Sequence, residues 1–254
     1  MAGFIWYELM ADEPEPALAF YRAVVGWKIE AFDPSDHSYT ILKAAGRGIG
    51  GVLPTPADAR AAGARPAWLG YIAVPDVDAA ARSIVEAGGK LHRDIMDIPS
   101  VGRIAMVSDP QGAPFYLIDP DGEDRPPLSP MTAGTVGWRE LHTIGWSAAF
   151  DFYRAQFGWQ KAEAIEMGPA GTYQIFQMES GGNWSGGMFD SDGLGRPAWL
   201  FYFVVGDIDE AAARVRAAGG EVLEEPMQVP GGVWTIQCRD PQGAMFALVG
   251  SRRT

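Results

Sequence analysis

The feature that most restricts the fold of this chain is an internal repeat that covers nearly all of its 254 residues. The second half repeats the segment ELMADEPEPALAFYRAVVGWKIE as ELHTIGWSAAFDFYRAQFGWQKAE, so that Glu8 recurs as Glu140 and Trp27 as Trp159. It also repeats RPAWLGYIAVPDVDAAARSIVEAGGKL as RPAWLFYFVVGDIDEAAARVRAAGGEV, and SDPQGAPFYLID as RDPQGAMFALVG. Repetition on this scale predicts two homologous halves with the same fold.

The two repeats are separated by the segment DPDGEDRPPLSPMTAG, which is rich in proline, glycine and acidic residues. That composition is typical of a connection rather than of a packed element. We therefore expect a first domain over residues 1–120, a linker over 121–134 and a second domain over 135–254.

Within each half the hydrophobic pattern predicts one strand, one helix and three more strands, and this unit occurs twice. The first unit begins with the strand-like run FIWYELM, continues with the helical run EPALAFYRAVVG and ends in three short strand-like runs. The next unit has a strand at WLGYIAV, a helix that Asp76 is expected to cap, and strands at KLHRDIM, GRIAMVS and PFYLID. The sequence therefore predicts an α+β fold made of four βαβββ modules.

Charge and cysteine content exclude several classes of partner. The formal net charge is -12 and the sequence pI is near 4.6, and such a surface repels nucleic acid and anionic lipid. The one cysteine, Cys238, cannot form an internal disulfide and lies in a strand-like run, which predicts a core residue in a reducing compartment. The N-terminus does not resemble a signal peptide, and the longest apolar run is too short to cross a bilayer. We expect a cytoplasmic protein whose partner is a small molecule.

The ordered set of motifs, occurring twice, resembles the vicinal oxygen chelate superfamily, which includes glyoxalase I, extradiol dioxygenases and the fosfomycin and bleomycin resistance proteins. The W-x-E-L start of each half is similar to a subgroup of tandem, two-domain glyoxalase-like proteins. The resemblance covers nearly the whole chain outside the linker and the termini. It implies that two βαβββ modules pair into a curved mixed sheet around a small-molecule cavity, and hence two cavities.

The resemblance also implies where a metal ion would be held, and the sequence departs from the family there. Catalytic members bind a divalent cation through His, Glu or Gln side chains at inward-facing strand positions. The corresponding positions in this chain are Trp6, Trp138, Leu69, Leu200, Tyr116 and Ala247. None of these side chains is a carboxylate or an imidazole, and small shifts of the alignment do not recover three ligands. We therefore expect no metal ion and no other cofactor.

Side chains two apart on a strand share a face, so that Trp6 lies beside Glu8, and Trp138 beside Glu140 and His142. Each tryptophan is expected to form a flat apolar wall, with the glutamate as a charged or protonatable group beside it. The residues expected to contact a ligand are aromatic or titratable: Trp6, Glu8, Tyr71, Tyr116, Trp138, Glu140, His142 and Tyr202.

Two interpretations of the repeated glutamates stay open. In one, desolvation beside a tryptophan prepares the carboxyl group as a polar anchor or general base, and Glu140 with His142 are the candidate catalytic residues. In the other, the carboxylates are structural and bind loop amides or the repeated Arg65 and Arg196. The sequence shows no Ser-His-Asp arrangement.

Two classes of function follow from these observations. The first is metal-independent binding of a small, largely apolar or aromatic molecule. The alternative is a lyase, isomerase or dioxygenase-like enzyme with a non-standard or absent metal site. Because Met10 corresponds to His142 and Tyr116 to Ala247, we expect one functional cavity, with the second half the more open.

Overall fold

The structure is a computed structural model that describes residues 2–33, 36–122, 128–129, 131–191 and 193–253. The first half of the sequence contains two helix-containing modules with these bounds: β1 Phe4–Ala11, α1 Pro14–Val24, β2 Lys28–Asp33, β3 Asp36–Ala44, β4 Arg47–Pro54, α2 Ala57–Ala61, β5 Ala67–Ala73, α3 Val77–Glu86, β6 Lys90–Leu91, β7 Met96–Ile98, β8 Gly102–Ser108 and β9 Pro114–Pro120.

The second half repeats this order with the following bounds: β10 Val136–Thr143, α4 Trp146–Phe157, β11 Gln160–Glu166, β12 Thr172–Gln177, β13 Gly186–Asp190, β14 Ala198–Asp207, α5 Ile208–Ala217, β15 Glu221–Val222, β16 Met227–Gln228, β17 Trp234–Arg239 and β18 Met245–Ser251. A single 3-10 turn at Gly168–Ala170 precedes β12. The strands of each half belong to one nine-stranded mixed sheet, which confirms the predicted α+β fold of four βαβββ modules.

The strand order inside each module brings its first and last strands together. The orders are β2-β3-β4-β1, β5-β9-β8-β6, β11-β12-β13-β10 and β14-β18-β17-β15. The first strand runs parallel to its neighbour, as in the β10–β13 pair, and the remaining pairs inside a module are antiparallel. The last strand of a module therefore presents its side chains beside those of the first strand.

Two details differ from the expectations. The run KLHRDIM, predicted as one strand, is divided into β6 and β7, and the corresponding run of the second half is divided into β15 and β16. The short helix α2 was not expected. The cap of α3 is confirmed, because the Asp76 carboxylate accepts from the amide of Ala79 at 2.8 Å.

The chain divides into two compact units, and each unit takes segments from both halves of the sequence. One consists of Met1–Ile5, Leu69–Pro126 and Arg139–Trp199, and the other of Trp6–Trp68, Pro127–Trp138 and Leu200–Thr254. The continuous domain limits at residues 1–120 and 135–254 stay a prediction. The predicted linker, 121–134, contains residues 123–127 and 130, which lie outside the described residues.

A buried Trp–Tyr–Asp chain occurs in each unit and explains why its residues recur. In one unit Trp68 Nε1 donates to the Tyr21 hydroxyl at 2.9 Å, and this hydroxyl donates to Asp240 at 3.1 Å. The aspartate begins the second DPQG motif and also accepts from the amides of Gln242 and Ala244. Burial raises the pKa of Asp240, although these donors lower it in part.

The other unit holds the matching chain. Trp199 Nε1 donates to the Tyr153 hydroxyl at 3.0 Å, and this hydroxyl donates to Asp109 at 3.1 Å. Burial raises the pKa of Asp109 as well. The repeated tyrosine and DPQG motifs therefore act together in the core of each unit, in a structural role.

Cys238 lies in the core as predicted and is fully buried. Burial raises the pKa of its thiol to about 12, so that it is not a thiolate near neutral pH.

Candidate functional site

The candidate site is built on two neighbouring parallel strands of the third module. In the β10–β13 pair, Glu140 lies opposite Gly187 and His142 lies opposite Phe189. Because residues two apart on a strand share a face, these positions all present their side chains on one side. Ser191 follows directly after β13 and continues the same alternation.

A continuous chain of hydrogen bonds joins four side chains at this face, and we refer to it as the polar chain. The Tyr173 hydroxyl donates to Glu140 Oε2 at 2.9 Å. Glu140 Oε1 lies 2.8 Å from His142 Nε2, and His142 Nδ1 lies 3.0 Å from Ser191 Oγ. Glu140 and His142 are 7% and 3% exposed, whereas Ser191 and Tyr173 are partly exposed. The chain therefore connects a buried carboxylate and imidazole to the side chain of a partly exposed serine.

The following assignment of protons takes Glu140 as a carboxylate and His142 as a neutral imidazole. A carboxylate only accepts, so that Tyr173 and His142 Nε2 both donate to Glu140. A neutral imidazole protonated on Nε2 has a lone pair on Nδ1, which accepts from the hydroxyl of Ser191. The amide of Gly193 donates to the same Ser191 oxygen at 3.1 Å.

A glycine makes room for the phenol of Tyr173. A Cβ atom at Gly187 would overlap the ring of Tyr173, so that a side chain at this position displaces the ring. The first half has the same arrangement, because Gly51 lies opposite Glu8 in the β1–β4 pair and a Cβ atom there would overlap Tyr39.

Apart from this tyrosine, glycine and glutamate, the first half has different groups at the positions of the polar chain. Trp6 Nε1 donates to the Tyr39 hydroxyl at 2.8 Å, and Glu8 is buried. Met10 stands where the second half has His142. The counterpart of Ser191 is Thr55. The amide of Thr55 donates to the carbonyl of Ala11, and the amide of Ser191 donates to the equivalent carbonyl of Thr143. Thr55 Oγ1 is buried, and it has no hydrogen-bond partner among the described residues.

The geometry bears on the two interpretations of the glutamates. Glu140 is bonded by an imidazole and a phenol, while Arg65 and Arg196 are exposed.

As strand alternation predicts, Tyr7 lies on the face opposite Glu8, where its ring packs edge-on against Phe201 at 5.0 Å.

The predicted ligand-contacting tyrosines are held in different ways. Tyr71 and Tyr116 lie opposite each other in the β5–β9 pair and stack with ring centroids 4.3 Å apart. In the second half Tyr202 lies opposite Ala247, and its hydroxyl accepts from Gln237 Nε2 at 3.2 Å. A small cavity of about 30 Å³ borders Tyr202, Met227 and Gln237.

A larger cavity of about 380 Å³ lies away from these residues. Its lining includes Asp97, Arg103 and Asp119. The guanidinium of Arg103 is already bound to Asp78 at 2.6 Å and to Asp97 at 2.7 Å. These bonds neutralise its charge, so we place the candidate site at the polar chain, where titratable groups and a partly exposed hydroxyl converge.

The residues at the implied metal positions do not fit a metal ion. In the part of the chain that the structure describes, no three His, Cys, Asp or Glu side chains lie together closely enough to hold one. Function without a metal ion stays a prediction. Among the same residues, no helix is both long and apolar enough to cross a membrane.

Tyr173, Ser191 and Phe189 were not identified from the sequence. The repeat contained a signal for the tyrosine, because SYTILK in the first half corresponds to TYQIFQ in the second and places Tyr39 opposite Tyr173 in the alignment. Ser191 gave no such signal, because its importance depends on the pairing of β13 with β10.

Comparisons with known proteins agree with the fold. The family model described as Glyoxalase/Bleomycin resistance protein/Dioxygenase superfamily matches residues 3–117 and 145–248. The Mycobacterium tuberculosis protein named "Putative glyoxylase CFP32" is 31% identical over 247 residues, covering 96% of this chain and 93% of that protein. The Anthracycline biosynthesis protein DnrV of Streptomyces peucetius is 30% identical over 259 residues, covering 97% of this chain and 92% of that protein.

Solved structures give the same result at lower identity. The Mn(II)-bound glyoxalase from Novosphingobium aromaticivorans has a TM-score of 0.67 at 14% identity, covering 100% of this chain and 84% of that one. The 2,2',3-trihydroxybiphenyl 1,2-dioxygenase from Sphingomonas wittichii has a TM-score of 0.68 at 16% identity, covering 99% and 90%. The chain belongs to the glyoxalase/bleomycin resistance protein/dioxygenase superfamily.

Proposed function

We propose that this protein binds a small, largely apolar or aromatic molecule without a metal ion, in a cavity of the type that its family uses. The observation that carries the proposal is the chemistry of the six implied metal positions. Trp6 and Trp138 keep part of their surface exposed, and the other four side chains are buried: Leu69, Tyr116, Leu200 and Ala247. The exposed tryptophan surface favours a flat apolar ligand over a hydrated cation.

The polar chain complements this apolar surface. On β10 the side chains of Glu140 and His142 follow Trp138 on the same face, and their hydrogen bonds end at the partly exposed Ser191. Small-molecule sites commonly combine an apolar lining with a few polar groups that fix orientation. We therefore assign ligand stacking to Trp138 and ligand orientation to the polar chain.

The name of one relative supports this class of ligand. The Streptomyces relative is named for anthracycline biosynthesis. Anthracyclines are flat polycyclic compounds, and such rings stack on tryptophan. The name of the mycobacterial relative points instead to glyoxylase chemistry.

The test is a titration of the full-length protein with flat aromatic compounds, including an anthraquinone, with and without EDTA. We expect a compound that raises the melting temperature equally in both conditions. Trp138→Ala should weaken its binding by about tenfold or more, which corresponds to about 1.4 kcal/mol. The control is Trp184→Ala, which removes a tryptophan that is 44% exposed and should leave binding unchanged. Loss of binding on chelation, together with a stoichiometric metal in the untreated protein, would contradict the proposal.

The polar chain favours a second candidate, a metal-independent lyase or isomerase. An imidazole oriented by a carboxylate is a general base, and such groups contribute about 10²- to 10⁴-fold to a rate. The two candidates differ in whether a bound ligand is chemically altered and in what His142→Met does to the rate of that change. An enzyme turns the ligand over and loses turnover in this variant, whereas a binding protein shows no turnover in either form.

A further inference from the structure

We propose that Ser191 is a nucleophile, activated by His142 and Glu140, and that it accepts an acyl group from small esters. The proposal concerns covalent chemistry and goes beyond ligand binding. Ser191 Oγ lies 3.0 Å from His142 Nδ1, and His142 Nε2 lies 2.8 Å from Glu140 Oε1. A nucleophile within hydrogen-bond reach of a base that a third group orients is the arrangement that activates serine on unrelated folds.

Burial gives each of the three side chains a suitable environment. His142 and Glu140 are 3% and 7% exposed, so that their mutual hydrogen bond is shielded from water. Ser191 is partly exposed, whereas its two partners are buried. Tyr173 donates to the second oxygen of Glu140 and fixes the carboxylate against the imidazole.

The protons in this arrangement permit a balanced acyl transfer. Ser191 Oγ forms a bond to the ester carbonyl carbon while its proton passes to His142 Nδ1. The bond from that carbon to the alcohol oxygen then breaks, and His142 returns the proton to the departing alcohol. Water attacks the acyl-serine with the same help from His142, which releases a carboxylic acid and restores Ser191. Glu140 stabilises the imidazolium that forms in each step.

The surroundings of Ser191 indicate the class of ester. A Cβ atom at Gly193 would lie 3.2 Å from Ser191 Oγ and 3.8 Å from His142 Nδ1, so a larger side chain at this position would lie against the pair. The ring of Phe189 packs against the imidazole with centroids 4.7 Å apart. An apolar wall beside the hydroxyl favours esters with a flat or apolar acyl group.

The first half of the chain provides an internal comparison. It keeps a buried glutamate, Glu8, and a hydroxyl, Thr55, at the corresponding positions. It has Met10 in place of the imidazole, and Thr55 is 3% exposed. The repeated fold therefore tolerates methionine and a buried hydroxyl here. The second half differs by the two features on which the nucleophile proposal rests, a base and a partly exposed serine.

The test uses a fluorophosphonate probe on the full-length protein, followed by mass spectrometry of its peptides. Attack by Ser191 forms an oxygen–phosphorus bond, expels fluoride and leaves the proton on His142. We expect label on the peptide that contains Ser191, and no label there in Ser191→Ala. His142→Met, which copies the first half and should fold, should slow labelling by about 100-fold or more.

The matched control is Thr55→Ser, which places a serine at the corresponding position without a base. It should leave labelling of Ser191 unchanged and acquire no label at position 55. An unlabelled Ser191 in a protein with native circular dichroism overturns the proposal. Equal labelling rates in wild type and in a folded His142→Met variant also overturn it. Either result leaves the ligand-binding proposal standing, because that proposal is tested by titration.

Discussion

At the scale of single residues, the acceptor capacity of Glu140 sets which groups of the polar chain donate hydrogen bonds and which accept them. Its two oxygens face the hydroxyl of Tyr173 and Nε2 of His142. Because a carboxylate has no proton to give, both neighbours donate to it. The imidazole proton is then on Nε2, and Nδ1 accepts from Ser191.

This argument predicts different histidine tautomers in two variants of Glu140. Glu140→Gln retains one acceptor oxygen for Nε2, while its amide nitrogen donates to the partly exposed Tyr173 hydroxyl, so the tautomer should be unchanged. Glu140→Leu removes every acceptor, and the proton should move to Nδ1 and donate to Ser191, because a buried N–H without an acceptor costs about 1 to 3 kcal/mol. The ¹⁵N chemical shifts of the His142 ring distinguish the two states. The same tautomer in both variants would refute the proton assignment.

At the scale of elements, the pairing of a tyrosine with a glycine brings a phenol across one strand to reach the next. Tyr173 lies on β12, and its ring crosses the neighbouring strand β13 at Gly187 to reach Glu140 on β10. Tyr39 and Gly51 repeat this arrangement on β3 and β4. The glycine is required by the close approach of the ring and not by an unusual backbone conformation.

Gly187→Ala should therefore displace the Tyr173 ring and break its bond to Glu140. The expected loss in the free energy of unfolding is about 1 to 3 kcal/mol, the usual cost of a forced shift in a packed site. Urea unfolding measures it. The control is Gly206→Ala on β14, where a Cβ atom would meet nothing within 4 Å, and the expected change is within about 0.5 kcal/mol. Equal stability of the two variants would contradict the steric argument.

Some strands and site residues could be predicted from local sequence patterns, and others could not. Largely buried strands, such as β1 and β10, were predicted because their runs of apolar and aromatic residues record burial. The strands β6 and β7 are largely exposed, so the run KLHRDIM carried no alternation that could mark the break between them. Glu140 and His142 were found because they share one strand. Tyr173 and Ser191 needed the order β12-β13-β10, which no local pattern contains.

At the scale of the whole molecule, the repeat preserves two kinds of feature that the sequence alone does not separate. The Trp–Tyr–Asp chains are kept in both halves because each unit needs one in its core. The glutamates are also kept, but His142 and the partly exposed Ser191 occur in the second half only. Function is therefore expected where the halves differ, and stability where they agree. The greater openness of the second half stays a prediction.

The buried aspartates of the Trp–Tyr–Asp chains should make the free energy of unfolding depend on pH. Burial raises the pKa of Asp109 and of Asp240 above the ordinary value of an aspartate, which applies in the unfolded chain. Between the unfolded and folded pKa values the folded protein binds more protons, so that its free energy of unfolding falls as pH rises through this window. Asparagine does not titrate, and it keeps the size of aspartate.

The double variant Asp109→Asn, Asp240→Asn should therefore lack this part of the pH dependence. Its stability relative to the wild type should be lowest below the unfolded pKa and should improve as pH rises through the window, because the wild type then loses the protons that favour its folded state. Urea unfolding at each pH measures the difference and keeps the chain soluble near its pI of about 4.6. A flat difference would show that these two carboxyl groups titrate alike in the folded and unfolded chain.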